Sequence, residues 1–259
     1  MTFWRAQERA QRHCGKLILR IEDLDRDRCP SKFREAIVED LSWFGLRWDE
    51  GPDVGGPFAP YLQSKRREFY LAGWQRLRDA GLVYPCACSR RDVLQSALAP
   101  HHEDEEPIYP GTCRPQSDEI YDRATPEGLN WRFRVPDGEE LQFVDECLGI
   151  QRAMAGVDFG DFVVWRKDDV PAYQLAVVTD DATMEITEVV RGVDLLLSTF
   201  RQLLIYRALG LSAPQFYHTE LIKDAAGRRL AKRDAALSLR ELRGGGAEPG
   251  KLRARSGAV

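Results

Sequence analysis

The chain has 259 residues with Lys+Arg 37, Asp+Glu 41 and a net charge of -4; 43% of residues are hydrophobic and 30% charged. This balance excludes a disordered chain. The 21 glycines and 14 prolines follow no period, which excludes collagen-like and low-complexity chains. No apolar run approaches the roughly 20 residues that span a bilayer, and the length suits one large domain or two modest ones.

The first residues carry charge where a signal peptide needs an apolar stretch, so the chain reads as cytosolic. The six cysteines are scattered, which fits reduced thiols or a metal site better than a disulfide framework. From Lys223 to Val259 ten Lys/Arg face four Asp/Glu, a surplus of six; with a net charge of -4, residues 1–222 carry -10. A basic end on an acidic body hints at a polyanionic partner, and a solvated basic tail is the competing reading.

In chain order, residues 3–13 read as a helix. Lys16–Ile21 reads as a short buried strand, an apolar run between charged ends. The polar run Glu22–Arg28 follows. Residues 31–44 read as a helix, because Phe33, Ile37, Leu41 and Phe44 recur at helical spacing and Gly45 supplies a stop. Another helix is expected over 64–80, ended by Gly81. Residues 81–125 hold three cysteines, the acidic run Glu103–Glu106 and several prolines, and read as an inserted subdomain. Strands are expected over 129–167, including Trp131–Val135 and Phe162–Trp165.

After Pro171, Leu175–Thr179 and Ile186–Val190 read as buried strands. Asp194 is expected to cap a long helix over 195–209. The tail from Gly244 reads as disordered. The pattern is α/β. It divides into a first α/β segment (1–80), an insertion (81–128), a strand-rich connection (129–170), a second α/β segment (171–243) and a basic tail (244–259). No internal repeat is visible.

Cys86 and Cys88 are followed by Tyr109 and Cys113, a C-x-C-x20-Y-x3-C spacing. Two thiolates one residue apart, with a third returning from a loop, suit tetrahedral Zn²⁺ of the structural kind. Tyr109 is an unusual fourth ligand, because a phenol's pKa lies near ~10; His101 and His102 are alternatives. The competing reading is three small buried hydrophobes. Cys14, Cys29 and Cys147 lack a partner motif and read as inert.

Four further segments carry candidate chemistry. Glu22 can recognise an ammonium group, and Asp23 or Asp25 can hold Mg²⁺, just past a strand end; a salt-bridged polar turn is the alternative. Tyr173 and Gln174 can line a pocket, or serve the core. Arg191 can clamp a carboxylate by two parallel hydrogen bonds, or form a surface ion pair. Lys232, in the basic turn 227–233, can neutralise a phosphate, or lie in a solvated loop.

Taken in order, LRIEDLDRDR, YLQSKRREFY, YPCACSRRD, YPGTCR, PAYQLAVVTDD, VVRGVDLLLST, the segment His218–Ile222 and KDAAGRRLAKRD resemble one family over about residues 2–243. It is the class I glutamyl-tRNA synthetase-like family, and within it the glutamyl-Q tRNA(Asp) synthetases. Each motif alone is weak; the ordered set is specific.

The resemblance implies a Rossmann-like catalytic domain with a zinc-binding insertion between its halves. It implies glutamate and ATP with Mg²⁺ as substrates, activation of glutamate without tRNA, and transfer to queuosine in the anticodon of tRNA(Asp). It further implies a cytoplasmic monomer and one structural Zn²⁺ per chain, held by Cys86, Cys88, Tyr109 and Cys113. Glu22 matches the contact to the glutamate amino group, and Tyr173 and Arg191 match its other contacts. Lys232, with Leu230 and His218, matches the ATP side, and Lys232 is the catalytic cation on the phosphates.

Two departures stand out. Ala231 occupies a position where serine is common, which is expected to weaken the lysine loop without removing Lys232. Relatives also open with a strand and a P-S-P-T-G-x-L-H-x-G segment, which no stretch here matches. The expectation is an N-terminally truncated form with an in-frame upstream extension. Two alternatives are a fragment of a glutamyl-tRNA synthetase that charges tRNA(Glu), and a non-catalytic, zinc-stabilised protein that binds tRNA or nucleotide.

Overall fold

The computed structural model describes residues 2–25, 29–89, 91–93, 107–116, 120–221 and 238–255. Its elements run α1 (Thr2–Arg12), α2 (Ser31–Phe44), α3 (Arg67–Asp79), β1 (Val83–Cys86), β2 (Asn130–Phe133), β3 (Glu140–Asp145), β4 (Gly149–Met154), β5 (Phe162–Arg166) and β6 (Val170–Pro171). They continue α4 (Tyr173–Thr183), β7 (Glu188–Gly192), α5 (Leu196–Ala208), β8 (Gln215–Thr219), α6 (Leu239–Gly244) and α7 (Pro249–Arg255). The chain forms two compact units. One comprises 1–65, 188–194 and 216–259, the other 66–187 and 195–215.

In the first unit, the buried strand expected over Lys16–Ile21 is corrected: residues 17–20 are half-buried, only Ile21 is buried, and the stretch forms isolated parallel bridges, Ile18 to Glu50 and Ile21 to Leu62, in place of a strand. Helix α2 ends where the sequence places the stop. Gly45 takes φ 100°, and its N–H reaches Leu41 O and Ser42 O, a conformation that costs glycine little. Only the C-terminal half of the α2 stripe is buried. Leu41 and Phe44 pack with Leu46 and with Trp4, Leu19, Leu239 and Leu252, whereas Phe33 and Ile37 lie at 53% and 41% exposure.

Helix α1 is tied to β7 by Arg9, which donates to both Glu188 carboxylate oxygens at 2.6 and 2.9 Å. The expected disorder from Gly244 is corrected, because Pro249–Arg255 is helical. Its Arg253 stacks on Trp4 at 4.7 Å and donates to Phe44 O. Stacking of this kind gives a basic segment a seat that composition does not reveal.

The second unit holds an antiparallel sheet in the order β1-β2-β5-β6, with Val83 opposite Phe133 and Trp131 opposite Trp165. The β3–β4 hairpin pairs Glu140 with Met154 and Asp145 with Gly149. Helices α3, α4 and α5 pack beside them. Gly73 on α3 permits a close approach, since a Cβ there would sit 3.3 Å from Leu175 Cδ1 and Thr179 Oγ1 on α4.

Two expectations are overturned in this stretch. Leu175–Thr179 is helix, not strand. Residues 174–181 are all buried, so no exposed face leaves a helical period to read. Helix α5 matches its expected span closely, but its N-cap is Leu195 without a side-chain cap; Asp194 lies inside the preceding 3-10 turn. Among the described residues no helix is long and apolar enough to cross a membrane.

Candidate functional site

Strand β1 delivers Cys86 into the interior at 1% exposure, and Cys88 follows two residues on. The segment 107–116 returns Tyr109 and Cys113. Its approach depends on Gly160, where a Cβ would lie 2.9 Å from Ile108 Cγ2 and 3.3 Å from the Tyr109 backbone. The three sulfurs lie within 4.8 Å of one another, the one such Cys/His/Asp/Glu group among the described residues that could hold an ion. Cys88 Sγ is 3.5 Å from Cys113 Sγ, and the Tyr109 hydroxyl is 3.4 Å from Cys86 Sγ and 3.6 Å from Cys88 Sγ.

Zn–S bonds of about 2.3 Å would set tetrahedral sulfurs roughly 3.8 Å apart. The residues therefore fit a tetrahedral ion with little movement, and three soft sulfurs with a phenol oxygen suit zinc. His101 and His102 lie outside the described residues. Cys14 and Cys147 are exposed and Cys29 half-buried.

Burial pushes the Cys88 thiol up to about 11. Burial also raises Cys113, but hydrogen bonds from Tyr109, the Ala87 backbone and Cys88 outweigh it and leave Cys113 lowered to about 7. Burial, and then the bond to Cys86, raise the Tyr109 phenol. A metal must displace protons from these groups at neutral pH, so uptake is expected to release protons and to weaken as pH falls. Calorimetry in buffers of different ionisation enthalpy reads that release. Metal analysis is expected to find one zinc per chain, absent in Cys88→Ala.

Sequence reasoning missed Arg132. From the buried strand β2 its Nε donates to Cys86 Sγ at 3.3 Å, and its guanidinium lies 3.7 Å above the Tyr109 ring. The available signal was a charged residue flanked by Trp131 and Phe133 in a strand buried at all three positions.

In the first unit the fold brings Arg191 and His218 together. Arg191 sits on β7 and His218 on β8, neighbouring strands. Arg191 is buried, and its Nε donates to His218 Nε2 at 3.2 Å. That bond requires Nε2 to lack a proton, which assigns the neutral ring proton to Nδ1. The guanidinium lies 5.2 Å over Phe216, and Thr219 Oγ1 donates to Arg191 O at 3.2 Å.

Glu22 follows the extended segment with its side chain 43% exposed, paired with Arg20 at 3.0 Å. Asp23 is buried and its oxygens are engaged. Ser64 N and Oγ donate to it at 2.8 Å each, and Arg34 at 2.9 Å. For Asp23 this is the polar-turn reading, not that of an open metal ligand. Tyr173 opens α4 in the second unit, half-buried. Beside it, Gln174 serves the core, donating to Ser198 Oγ at 3.1 Å and accepting from Gln202 at 2.9 Å. Leu230, Ala231 and Lys232 lie outside the described residues.

Mixed α/β units, a clustered Cys–Cys–Tyr–Cys set and a buried Arg–His pair are what the chain presents. The family described as tRNA synthetases class I (E and Q), catalytic domain, matches residues 4–253, and the chain belongs to it. By family it is a ligase of the aminoacyl-tRNA synthetase type, and the α/β catalytic-domain expectation holds.

Within that class, the chain is 49% identical over 93% of its length to the glutamyl-Q tRNA(Asp) synthetase of Symbiobacterium thermophilum, covering 75% of that protein. It is 46% identical over 95% of its length to the same-named enzyme of Nitratidesulfovibrio vulgaris, again covering 75%. The glutamate-tRNA synthetase structure of Elizabethkingia anophelis superposes with a TM-score of 0.76 at 29% identity, over 90% of this chain. The chain spans 49% of that structure's length.

Proposed function

We propose that the chain activates L-glutamate with ATP and transfers it to queuosine in the anticodon of tRNA(Asp). The observation that carries this reading is the 46–49% identity to two enzymes of that name, each covered over three-quarters of its length. Glutamate–tRNA ligase 1 of Halorhodospira halophila is 44% identical, and this chain spans 48% of it. Charging of tRNA(Glu) is therefore the second outcome to measure.

The glutamate α-carboxylate attacks the α-phosphate of ATP, glutamyl-adenylate forms and pyrophosphate leaves. No protein nucleophile is needed, so the residues position and neutralise charge. In this reading Arg191 clamps the side-chain carboxylate of glutamate, with its fork oriented by His218. Glu22 meets the ammonium group, and Tyr173 supplies a further contact to glutamate. Lys232, with Leu230, serves the ATP phosphates, which enter with Mg²⁺. His218, expected on the ATP side, acts here through Arg191.

Cys86, Cys88, Tyr109 and Cys113 hold one structural zinc, which cross-links the segment 107–116 to β1. A cytoplasmic, monomeric enzyme goes with this reading. The test is glutamate-dependent ATP–pyrophosphate exchange, followed by transfer of labelled glutamate to tRNA(Asp) with and without queuosine and to tRNA(Glu). Transfer confined to queuosine-bearing tRNA(Asp) supports the proposal, and transfer to tRNA(Glu) replaces it. Binding without exchange leaves a non-catalytic tRNA- or nucleotide-binding role.

A further inference from the structure

We propose that Arg132 is the charge-compensating and ligand-orienting residue of the Cys86–Cys88–Tyr109–Cys113 centre. The inference rests on the zinc reading of that cluster and adds a residue outside the ligand set. Three thiolates and a phenolate around a divalent ion carry two negative charges in excess. The centre sits among buried residues, with Cys86 at 1% and Tyr109 at 7% exposure. Uncompensated charge in such a place is costly.

Arg132 supplies a cation at the right atoms. Its Nε donates to Cys86 Sγ at 3.3 Å, its plane covers the Tyr109 ring at 3.7 Å, and one terminal nitrogen donates to Asp161 O at 2.9 Å. The backbone bond fixes the guanidinium. The other two contacts then set the orientation of two ligands that come from different segments of the chain. Only a planar, forked cation can donate in its plane and stack on its face at once; a lysine ammonium restores charge but not both contacts. A thiolate that accepts a hydrogen bond is also a poorer electron donor to its metal, which gives the contact a spectroscopic signature.

The experiment measures zinc affinity of the full chain by competition with a chromophoric chelator, together with the thiolate-to-cobalt charge-transfer absorption of the cobalt-substituted protein. Arg132→Gln is expected to weaken zinc binding about 10- to 100-fold, the range for lost outer-sphere partners, and to move the cobalt band to lower energy. Arg132→Lys is expected to recover most of the affinity while the band stays shifted. It serves alone if Arg132→Gln does not fold. Melting of the metal-free proteins separates a purely structural role, which would lower stability without moving the band. Unchanged affinity and an unchanged band in the variants would overturn the inference. A wild-type chain that takes up no zinc overturns the metal reading itself, a failure recognisable before any variant is made.

Discussion

Asp180→Ala is expected to destabilise the second unit by about 3–5 kcal/mol, the range for a buried pair that loses one partner. Arg66 and Asp180 are 1% and 0% exposed and meet at 2.7 Å. Tyr70 donates to the other Asp180 oxygen at 3.0 Å, and Arg66 donates to Thr183 Oγ1 at 2.6 Å. Removing the carboxylate takes from a buried guanidinium the anion it meets at 2.7 Å, and from Tyr70 this acceptor.

The pair links the start of α3 to α4, so its loss loosens the helix packing behind Tyr173. Urea unfolding followed by tryptophan fluorescence measures the effect, since Trp74, Trp131 and Trp165 are fully buried in this unit. The double replacement Arg66→Met, Asp180→Leu is expected to recover much of the loss, because it removes both charges together. A loss below about 1 kcal/mol would mean that the pair behaves like an exposed one.

Arg191→Ala is expected to lower kcat/KM for glutamate in pyrophosphate exchange by two to three orders of magnitude, about 3–4 kcal/mol for a buried charge partner. The KM for ATP is expected to stay within a few-fold. Arg191→Lys keeps the charge but not the fork, and is expected to recover only part of the activity. His218→Leu is expected to raise the KM for glutamate as well, through the 3.2 Å bond that orients Arg191. An effect of either change confined to ATP would reassign the Arg191–His218 pair to the nucleotide side.

Much of this was legible in the chain. Helix α2 and its stop at Gly45 follow from apolar spacing and one left-handed glycine. The strand region over 129–167 follows from its short apolar runs. The three cluster cysteines follow from their spacing, and Tyr109 from the family resemblance; the structure brings the three sulfurs within 4.8 Å of one another and the Tyr109 hydroxyl 3.4 Å from Cys86 Sγ. Helix α4 was not legible, because burial on every side erases the period that distinguishes helix from strand. The absence of an Asp194 cap and the docking of α7 were hidden for a related reason. A cap depends on where the preceding turn lies, and Arg253 finds its aromatic seat on residues more than two hundred positions earlier.

The sequence by itself determined the family, the order of its motifs and the chemistry of its candidate ligands, because these reside in residue types at fixed local spacing. Tertiary structure alone decided which buried charges meet. Arg66 finds Asp180 114 residues away, Arg132 reaches Cys86 across 46, and Arg191 meets His218 across 27. The physical reason is that local spacing specifies what each residue can do, whereas desolvation makes a buried charge depend on the partner that the fold delivers.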